Sequence, residues 1–363
     1  MKSPFTGKEM SVVKEWRIMP FRKDEFRILF HVWRCEDTGE QFEDEAFAEL
    51  NHNQVFNQFR EKNAIPFPER ISAILKQYGV SATKMSEIMG FGANVYHQYE
   101  AGEVPNQSNA KLIQLVEDPH EFGKLVNLST TLEEKNKQKL IQRVGHLIEE
   151  RKTHKQSRLL ENYLIGDGIP TALTGYRKTS FQKFTEMIVF FSEKLKPWKT
   201  KINKLLFYTD FEMFRQTGFS MSGIKYRAIP MGPVQDNFNS IFEYLANQDT
   251  FDIFYTEFEN GTGEQFKPHP GRKFVAELFS DQEVSVLNQI AQRFQNMSTN
   301  EIIEYSHKET AWKENAEKKQ LINYQFGFEL QEIFLILFLL IAPHPIYLHG
   351  GRKACICWFS GDT

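Results

Sequence analysis

Residues 81–102 have the sequence SATKMSEIMGFGANVYHQYEAG, which predicts two short helices joined by a tight turn. Ser81 is a suitable N-cap for the first helix, and apolar residues follow it at helical spacing. The Gly-Phe-Gly at 90–92 ends that helix, because glycine adopts positive φ angles at low cost. A second helix is predicted over about residues 93–101, ending before Gly102. Two short helices across such a turn are typical of a helix-turn-helix.

The second predicted helix carries side chains that can recognise DNA bases. Asn94 and Gln98 are four residues apart, so they share one face of the helix. Both amides can pair with the adenine edge in the major groove. The predicted DNA-binding residues are Thr83, Ala93, Asn94, Tyr96, His97 and Gln98. The alternative is a small helical hairpin with exposed polar residues.

The composition is typical of a soluble protein with more than one domain. The chain has 363 residues, which favours two or three domains. The net charge is −3, so any basic DNA-binding surface must be local. Three cysteines do not indicate a disulfide framework, which predicts a reducing, cytoplasmic location. The start of the chain has no signal core, and the apolar run at 333–342 has half of the ~20 residues that span a membrane.

Residues 1–65 are predicted to form a small β-rich ribbon followed by a polar helix at 43–62. The strongest strand is at 25–34, with a weaker partner at 10–19. Two similar turns, SPFTG at 3–7 and CEDTG at 35–39, resemble the Cys-x-x-Cys-Gly turns of zinc ribbons. The four ligand positions are Ser3, Thr6, Cys35 and Thr38. Because three of them have no thiol, we expect a ribbon without zinc, held by hydrogen bonds and apolar packing.

Residues 1–120 resemble the MqsA-type antitoxins, in which a zinc ribbon precedes an Xre-class helix-turn-helix. The resemblance depends on the two turns, on Tyr-Glu-Ala-Gly at 99–102 and on the apolar helix at 105–116. It implies that Asn94 and Gln98 contact bases, although family members usually have arginine at the second position. Together with a helix at 69–78, these segments predict an all-α DNA-binding domain over residues 66–120.

Residues 121–179 are predicted to be a helical connector. Its run at 131–162 has apolar residues at helical spacing among many charged ones, which predicts one or two exposed helices that either dimerise or present a solvated face. Residues 180–330 are predicted to be a second globular unit with helices at 181–195, 200–217, 233–245, 272–278 and 281–294. The helix at 200–217 is apolar on nearly all sides, so it is predicted to be buried. Short strands are predicted at 224–229 and 252–258.

The C-terminal unit resembles the Panacea domain, also called SocA-like, over about residues 185–312. The matching pieces are KINKLLFY at 201–208, Gly-Pro at 232–233, the helix start at 280–286 and SHKETAW at 306–312. The resemblance implies a module that binds and neutralises a toxin. The neighbouring apolar, aromatic and arginine residues are of the types that dominate binding hot spots, and ordinary core is the alternative. The predicted toxin contacts are Phe219, Met221, Tyr226 and Arg227.

The sequence has none of the motifs that indicate an enzyme. It lacks H-E-x-x-H, a glycine-rich phosphate loop and G-x-S-x-G. We therefore expect no catalytic residue, no metal site and no cofactor. The tail at 335–363 has one acidic residue in 29 and differs in composition from the rest, so residues 331–363 are set apart as an atypical tail.

The predicted fold class is a multidomain, mainly α protein. It combines a small β-rich ribbon, an all-α helix-turn-helix domain and a helical α+β Panacea-like domain. The predicted function is that of an antitoxin of a type II toxin–antitoxin system, with operator DNA and a cognate toxin as partners and a homodimer as the active form. Residues 181–312 are expected to neutralise the toxin alone. The alternatives are a stand-alone transcriptional regulator and a proteolytic adaptor, which would also bind a protease.

Overall fold

An antiparallel sheet of three strands opens the chain: β1 (Ser11–Phe21), β2 (Asp24–Arg34) and β3 (Gln41–Phe42). β1 and β2 pair along their whole length. The structure buries the apolar residues that alternate along β2, namely Phe26, Ile28, Phe30 and Val32. The strand predicted at 25–34 from the alternation of apolar and polar residues is therefore confirmed, and its weaker predicted partner at 10–19 is also a strand.

This computed structural model describes residues 1–331, apart from residues 5, 154, 167 and 260. Residues 1–330 form one compact unit. The predictions made for the tail at 331–363 lie outside the described residues, except at its first position. Within the described part of the chain, no helix is both long and apolar enough to cross a membrane.

The helix α1 (Glu45–Asn63) packs on the sheet through polar side chains as well as apolar ones. The amide of Gln54 accepts from the backbone N–H of Leu29 at 3.0 Å and donates to its carbonyl at 2.9 Å. Asn51 makes the same pair of bonds with His31, both at 2.9 Å. These two amides satisfy backbone groups along the edge of β2, where β3 pairs only with Trp33 and Arg34.

The two four-residue turns of the ribbon come together at its end. Gly7 N donates to Ser3 O, and Gly39 N donates to Cys35 O at 2.8 Å, so the two turns have the same backbone bond. The Thr6 hydroxyl lies 3.6 Å from the Cys35 sulfur. Hydrogen bonds from Ser3, Thr38 and Thr6 lower the pKa of the buried Cys35 thiol to about 6. Hydrogen bonds thus connect the side chains that would be metal ligands in a zinc ribbon.

Six helices follow and share one apolar core, which includes the stacked rings of Tyr78 and Phe122 at 3.7 Å. They are α2 (Pro68–Tyr78), α3 (Ala82–Met89), α4 (Val95–Glu100), α5 (Gln107–Leu115), α6 (Pro119–Leu128) and α7 (Glu134–Thr153). The helix α4 is shorter than the predicted 93–101, because Val95 N bonds to Gly92 O in a turn and Asn94 is not helical. The apolar stripe of α7 is buried in this core, so it is not available as a dimer contact.

After α8 (Lys155–Ile165), the C-terminal part is built around α10 (Lys199–Thr217). All residues of α10 from Lys201 to Phe214 are buried, which confirms the burial predicted from its all-round apolar surface. The surrounding helices are α9 (Phe181–Leu195), α11 (Phe238–Ala246), α12 (Asp281–Phe294), α13 (Thr299–His307) and α14 (Thr310–Lys313). Two hairpins complete it: β4 (Tyr226–Ile229) with β5 (Gly232–Gln235), and β6 (Phe251–Phe258) with β7 (Gly261–Pro268).

Two helices predicted in the C-terminal part are wrong in extent or in kind. The helix predicted at 233–245 begins only at Phe238, because Gly232–Gln235 pairs with β4 as a strand. The segment predicted as a helix at 272–278 contains only a 3-10 turn at Ala276–Leu278. There, the backbone N–H groups of Phe274 and Val275 donate to carboxylates of α9 instead of to helix carbonyls.

The N-terminal ribbon and the C-terminal part are in direct contact. Asn53 and Asn57 of α1 donate to the carbonyls of Thr217 and Gly218 at 3.0 and 3.1 Å. Gly218 has a φ of 76° and ends α10, so these bonds satisfy carbonyls that the helix end leaves unpaired. The predicted boundaries at 65 and 179 therefore do not divide the chain into separately packed bodies, and as domain limits they stay predictions.

Lys204 of α10 gives the folded chain a pH-dependent stability. Its ammonium is buried and donates to the carbonyl of Pro233 at 3.0 Å. Burial lowers the pKa of this side chain from 10.5 to about 7. Between these values the unfolded chain holds a proton here that the folded chain has lost. The free energy of unfolding should therefore rise with pH across this interval, by up to ~1.4 kcal/mol per pH unit.

The substitution Lys204→Met should remove this rise. In urea unfolding between pH 7 and 10.5, the free energy of unfolding of wild type should rise relative to that of the variant as the pH increases. The neighbouring His307 does not titrate in this interval, because burial and then the Lys204 charge lower its pKa below 6.5. The exposed Lys313→Met is the matched control and should keep the wild-type slope. Parallel curves for Lys204→Met and wild type would contradict this assignment.

The two turns of the ribbon are predicted to bind no zinc. Only Cys35 among the four turn positions provides a thiolate, whereas structural zinc sites almost always have four protein ligands. We expect chelator-washed protein to contain no stoichiometric zinc by elemental analysis. A variant with cysteine at positions 3, 6 and 38 should gain zinc, because the folded turns already bring these positions together. Stoichiometric zinc in the wild-type protein would refute the prediction.

Candidate functional site

The first candidate surface is the exposed side of α3 and α4, called here the α3–α4 face. It is formed by Thr83, Ala93, Asn94, His97 and Gln98, all of which are exposed. The turn between α3 and α4 begins at Gly90, which ends α3 in the left-handed conformation with a φ of 71°. The side chain of Asn94 makes no capping bond to α4, although it holds the N-cap position. Five of the six residues predicted to bind DNA thus lie at the surface.

Tyr96 is the exception, and its predicted contact with DNA is wrong. The side chain is buried in the core of the helical unit, where its hydroxyl donates to the carbonyl of Ile71 at 3.0 Å. Its backbone N–H donates to the hydroxyl of Ser86 on α3 at 3.1 Å. Burial raises the pKa of the Tyr96 phenol above its ordinary value. Tyr96 therefore fixes the position of α4 against α2 and α3, and Ser86 assists it.

The charge around the α3–α4 face is mixed. Lys84 is paired with Glu87 on the same helix, with its ammonium 2.5 Å from the carboxylate. His97 lies 3.8 Å from the carboxylate of Glu100. The charges near Asn94 and Gln98 are thus paired with one another. The two amides are better suited to hydrogen bonds with base edges than this surface is to long-range attraction of phosphates.

The second candidate surface is the one predicted to contact a toxin, and the structure does not form it. Met221 and Tyr226 are buried core residues, so their predicted toxin contacts are wrong. Phe219 is half-buried with the guanidinium of Arg177 over its ring at 4.7 Å. Arg227 bonds to the carboxylate of Asp236 at 2.8 Å. These two remain at the surface, but each already has a partner within the chain.

Asp210 explains why Met221 and Tyr226 are buried. Its carboxylate accepts bonds from the backbone N–H groups of Met221 and Ser222 at 2.9 and 2.7 Å. The hydroxyls of Ser222 and Tyr226 donate to its other oxygen at 2.5 and 2.8 Å. Despite these four donors, burial raises the pKa of Asp210 to about 6. This acid holds the loop after α10 against the core, a role that sequence periodicity gave no reason to assign.

The β6–β7 hairpin was not among the predicted sites, yet it presents the most exposed aromatic residues of the C-terminal part. Phe254 is 47%, Tyr255 70% and Phe258 57% exposed. In contrast, Phe251 and Phe266 at the base of the hairpin are buried and stacked with ring centres 5.0 Å apart. The sequence FDIFYTEF could have indicated this surface, since three aromatic residues occur within five positions. In the described part of the chain this strand pairs with β7 alone.

One cavity of the C-terminal part lies beside the start of α10. A cleft of about 520 Å³ lies between Trp198, Gln265 and the start of α13, with Lys201 in its wall. The Lys201 ammonium already donates to the carbonyl of Met297 at 2.5 Å. No group of three or more histidine, cysteine or acidic residues in the described chain is placed to hold a metal ion.

Comparison with known proteins finds a similarity in one segment of the C-terminal part. A search among curated proteins found no match. Residues 202–313 match the family model described as antitoxin SocA-like, Panacea domain. This confirms the resemblance predicted for the C-terminal unit, whereas the N-terminal resemblance to MqsA-type antitoxins stays a prediction. The chain thus contains, from α10 into α14, a segment that matches the SocA-like Panacea antitoxin domain.

Proposed function

We propose that this chain is the antitoxin of a type II toxin–antitoxin system. Its C-terminal domain binds and neutralises a partner toxin, and its α3–α4 face represses the operon that encodes both proteins. The observation that carries the proposal is the match of residues 202–313 to an antitoxin domain. The role needs neither a catalytic residue nor a cofactor, and it belongs in the cytoplasm, where toxin and operator are found.

The DNA-binding part of the proposal is supported by the α3–α4 face. Asn94 and Gln98 are exposed, and the buried Tyr96 holds the short helix that carries them. One such helix reads only a few base pairs, so specificity requires two half-sites about one turn of DNA apart. We therefore propose that the chain acts as a homodimer on a palindromic operator.

Two other functions use the same features. A stand-alone transcriptional regulator would keep the DNA-binding face and use the C-terminal domain to sense another protein. A proteolytic adaptor would bind a toxin and present it to a protease. The antitoxin is favoured because residues 202–313 match an antitoxin domain. A toxic open reading frame beside the gene would separate it from the stand-alone regulator.

Asn94→Ala tests the operator contact. We expect a loss of ~1–3 kcal/mol in binding to the operator and little change on random DNA, because a base contact carries sequence information. Fluorescence anisotropy with both DNAs measures the two affinities at the same salt concentration. Asn239→Ala, an exposed amide on α11, is the matched control and should bind both DNAs as wild type does. Equal losses on the two DNAs would mean that Asn94 only contacts the backbone.

Neutralisation should survive the loss of DNA binding. The double substitution Asn94→Ala with Gln98→Ala is made in the full chain and expressed from a foreign promoter together with the neighbouring toxin. We expect growth to be rescued as by wild type, because both side chains are exposed and belong to α4 and its start, outside residues 202–313.

The same assay tests whether residues 175–330 rescue growth alone, as the sequence predicted. This fragment lacks α1, which bonds to the end of α10, so the full-chain variant is the sharper comparison. If only DNA-binding proteins rescue growth, neutralisation works through transcription and the proposed division of roles is wrong.

A further inference from the structure

The distal half of the β6–β7 hairpin exposes aromatic side chains that the core does not use. The burial of β6 changes along its length, from the buried Phe251 to the exposed segment from Phe254 onwards. Single exposed apolar residues are ordinary, but Phe254, Tyr255 and Phe258 lie together on one strand. Phe254 and Phe258 lie on one face of the strand and Tyr255 on the other, so exposed aromatic residues are present on both faces of its distal half.

The hairpin is held rigidly in place. Its strand β7 bonds to the segment before α10, with Phe266 N donating to Pro197 O at 2.9 Å. Lys199 adds an ion pair with Glu264, with its ammonium 2.7 Å from the carboxylate. The Phe258 ring packs edge-on against Trp198 at 5.5 Å between centres. Because these aromatic side chains are already ordered, binding of a partner would cost little additional conformational entropy of the hairpin.

The two edges of the hairpin differ. The edge of β7 is covered, because Trp198 forms a bridge with Gln265. The sheet has two strands in the described part of the chain, so the outer edge of β6 has no strand beside it. Natural proteins usually protect such an edge with lysine, proline or a bulge. The sequence of β6 has no lysine, arginine or proline, and its pairing with β7 is continuous from Phe251 to Phe258.

The charge near the edge selects the partner. Glu257 and Glu259 are exposed, and the ion pairs found among the described residues do not include them. Nearer the base, Asp252 is already paired with His269 at 2.8 Å, and the Lys267 ammonium lies over the Phe254 ring at 4.0 Å. The unpaired negative charge is thus concentrated at the tip, beside the exposed aromatic rings.

We propose that the partner toxin docks on β6, adding an extended segment with alternating apolar and basic side chains as a third strand along Phe254–Phe258. Backbone hydrogen bonds to the free edge hold the segment, while the exposed rings and the carboxylates at the tip select its side chains. This inference rests on the proposed function, since it specifies where the C-terminal domain binds the toxin.

The test uses the full chain with Tyr255→Lys and Glu257→Lys together. The probe is the protein encoded by the open reading frame adjacent to the gene, purified as an inactive variant. We expect its affinity, measured by calorimetry, to fall at least about tenfold, because the change removes an aromatic contact and places lysine on the edge. The matched control combines Tyr163→Lys with Glu304→Lys, two exposed residues outside the hairpin, and should bind as wild type does.

A second measurement separates strand addition from contact through side chains alone. Hydrogen exchange of the wild-type chain should show backbone amides within 252–258 that become protected when the probe binds. Unchanged thermal melting of both double variants would show that they are folded.

The possible results distinguish the inference from the proposed function. Weaker binding of the hairpin variant, with an unchanged control and protected β6 amides, supports the inference. If the hairpin variant binds as wild type does, or if the β6 amides stay unprotected, the inference is overturned while toxin binding stands. If the wild-type chain does not bind the probe, both are overturned. If the chain alone forms dimers that the hairpin variant abolishes, a second copy occupies the edge and the inference is wrong.

Discussion

The hydrogen bonds of the buried Arg60 guanidinium connect the parts of the chain on which the rest of the structure is built. This side chain of α1 is fully buried, and it donates to the side chain of Asn57 at 3.1 Å and to the carbonyl of Gly102 at 2.6 Å. Asn57 in turn donates to the carbonyl of Gly218 at the end of α10. One buried cation therefore connects the turn after α4 with the end of the central C-terminal helix. Burial lowers its pKa to about 9, so the fold tolerates a costly group to keep this connection.

Polar residues of α1 make hydrogen bonds to three other parts of the molecule. On one side, Gln54 and Asn51 satisfy the edge of β2. On another, Asn53 and Asn57 satisfy the end of α10. Near its C-terminus, Arg60 reaches the helical unit that carries the α3–α4 face. A helix with so many buried amides has a weak apolar stripe, and its packing is specified by hydrogen bonds.

The elements of this fold were largely predictable, whereas the partners of individual side chains were not. Alternation in β2 and the all-round apolar surface of α10 are strong local signals, and both elements were predicted correctly. Tyr96 and Tyr226 were misassigned because an aromatic residue with a hydroxyl suits a surface and a hydrogen-bonded core equally well. Only the distant acceptors, Ile71 and Asp210, decide between the two. The predicted helix at 272–278 failed for the same reason, since carboxylates of α9 take its backbone donors.

The closing of the ribbon by hydroxyl groups changes what the cell must supply for this protein to fold. A zinc-dependent ribbon stays unfolded until it acquires metal, so its assembly follows the free zinc of its surroundings. Here Thr6 already lies against Cys35, and the two turns close through their own backbone bonds. On the prediction that the ribbon binds no zinc, its folding would not wait for metal. If the predicted absence of zinc holds, the supply of the proposed antitoxin would depend on translation and not on available metal.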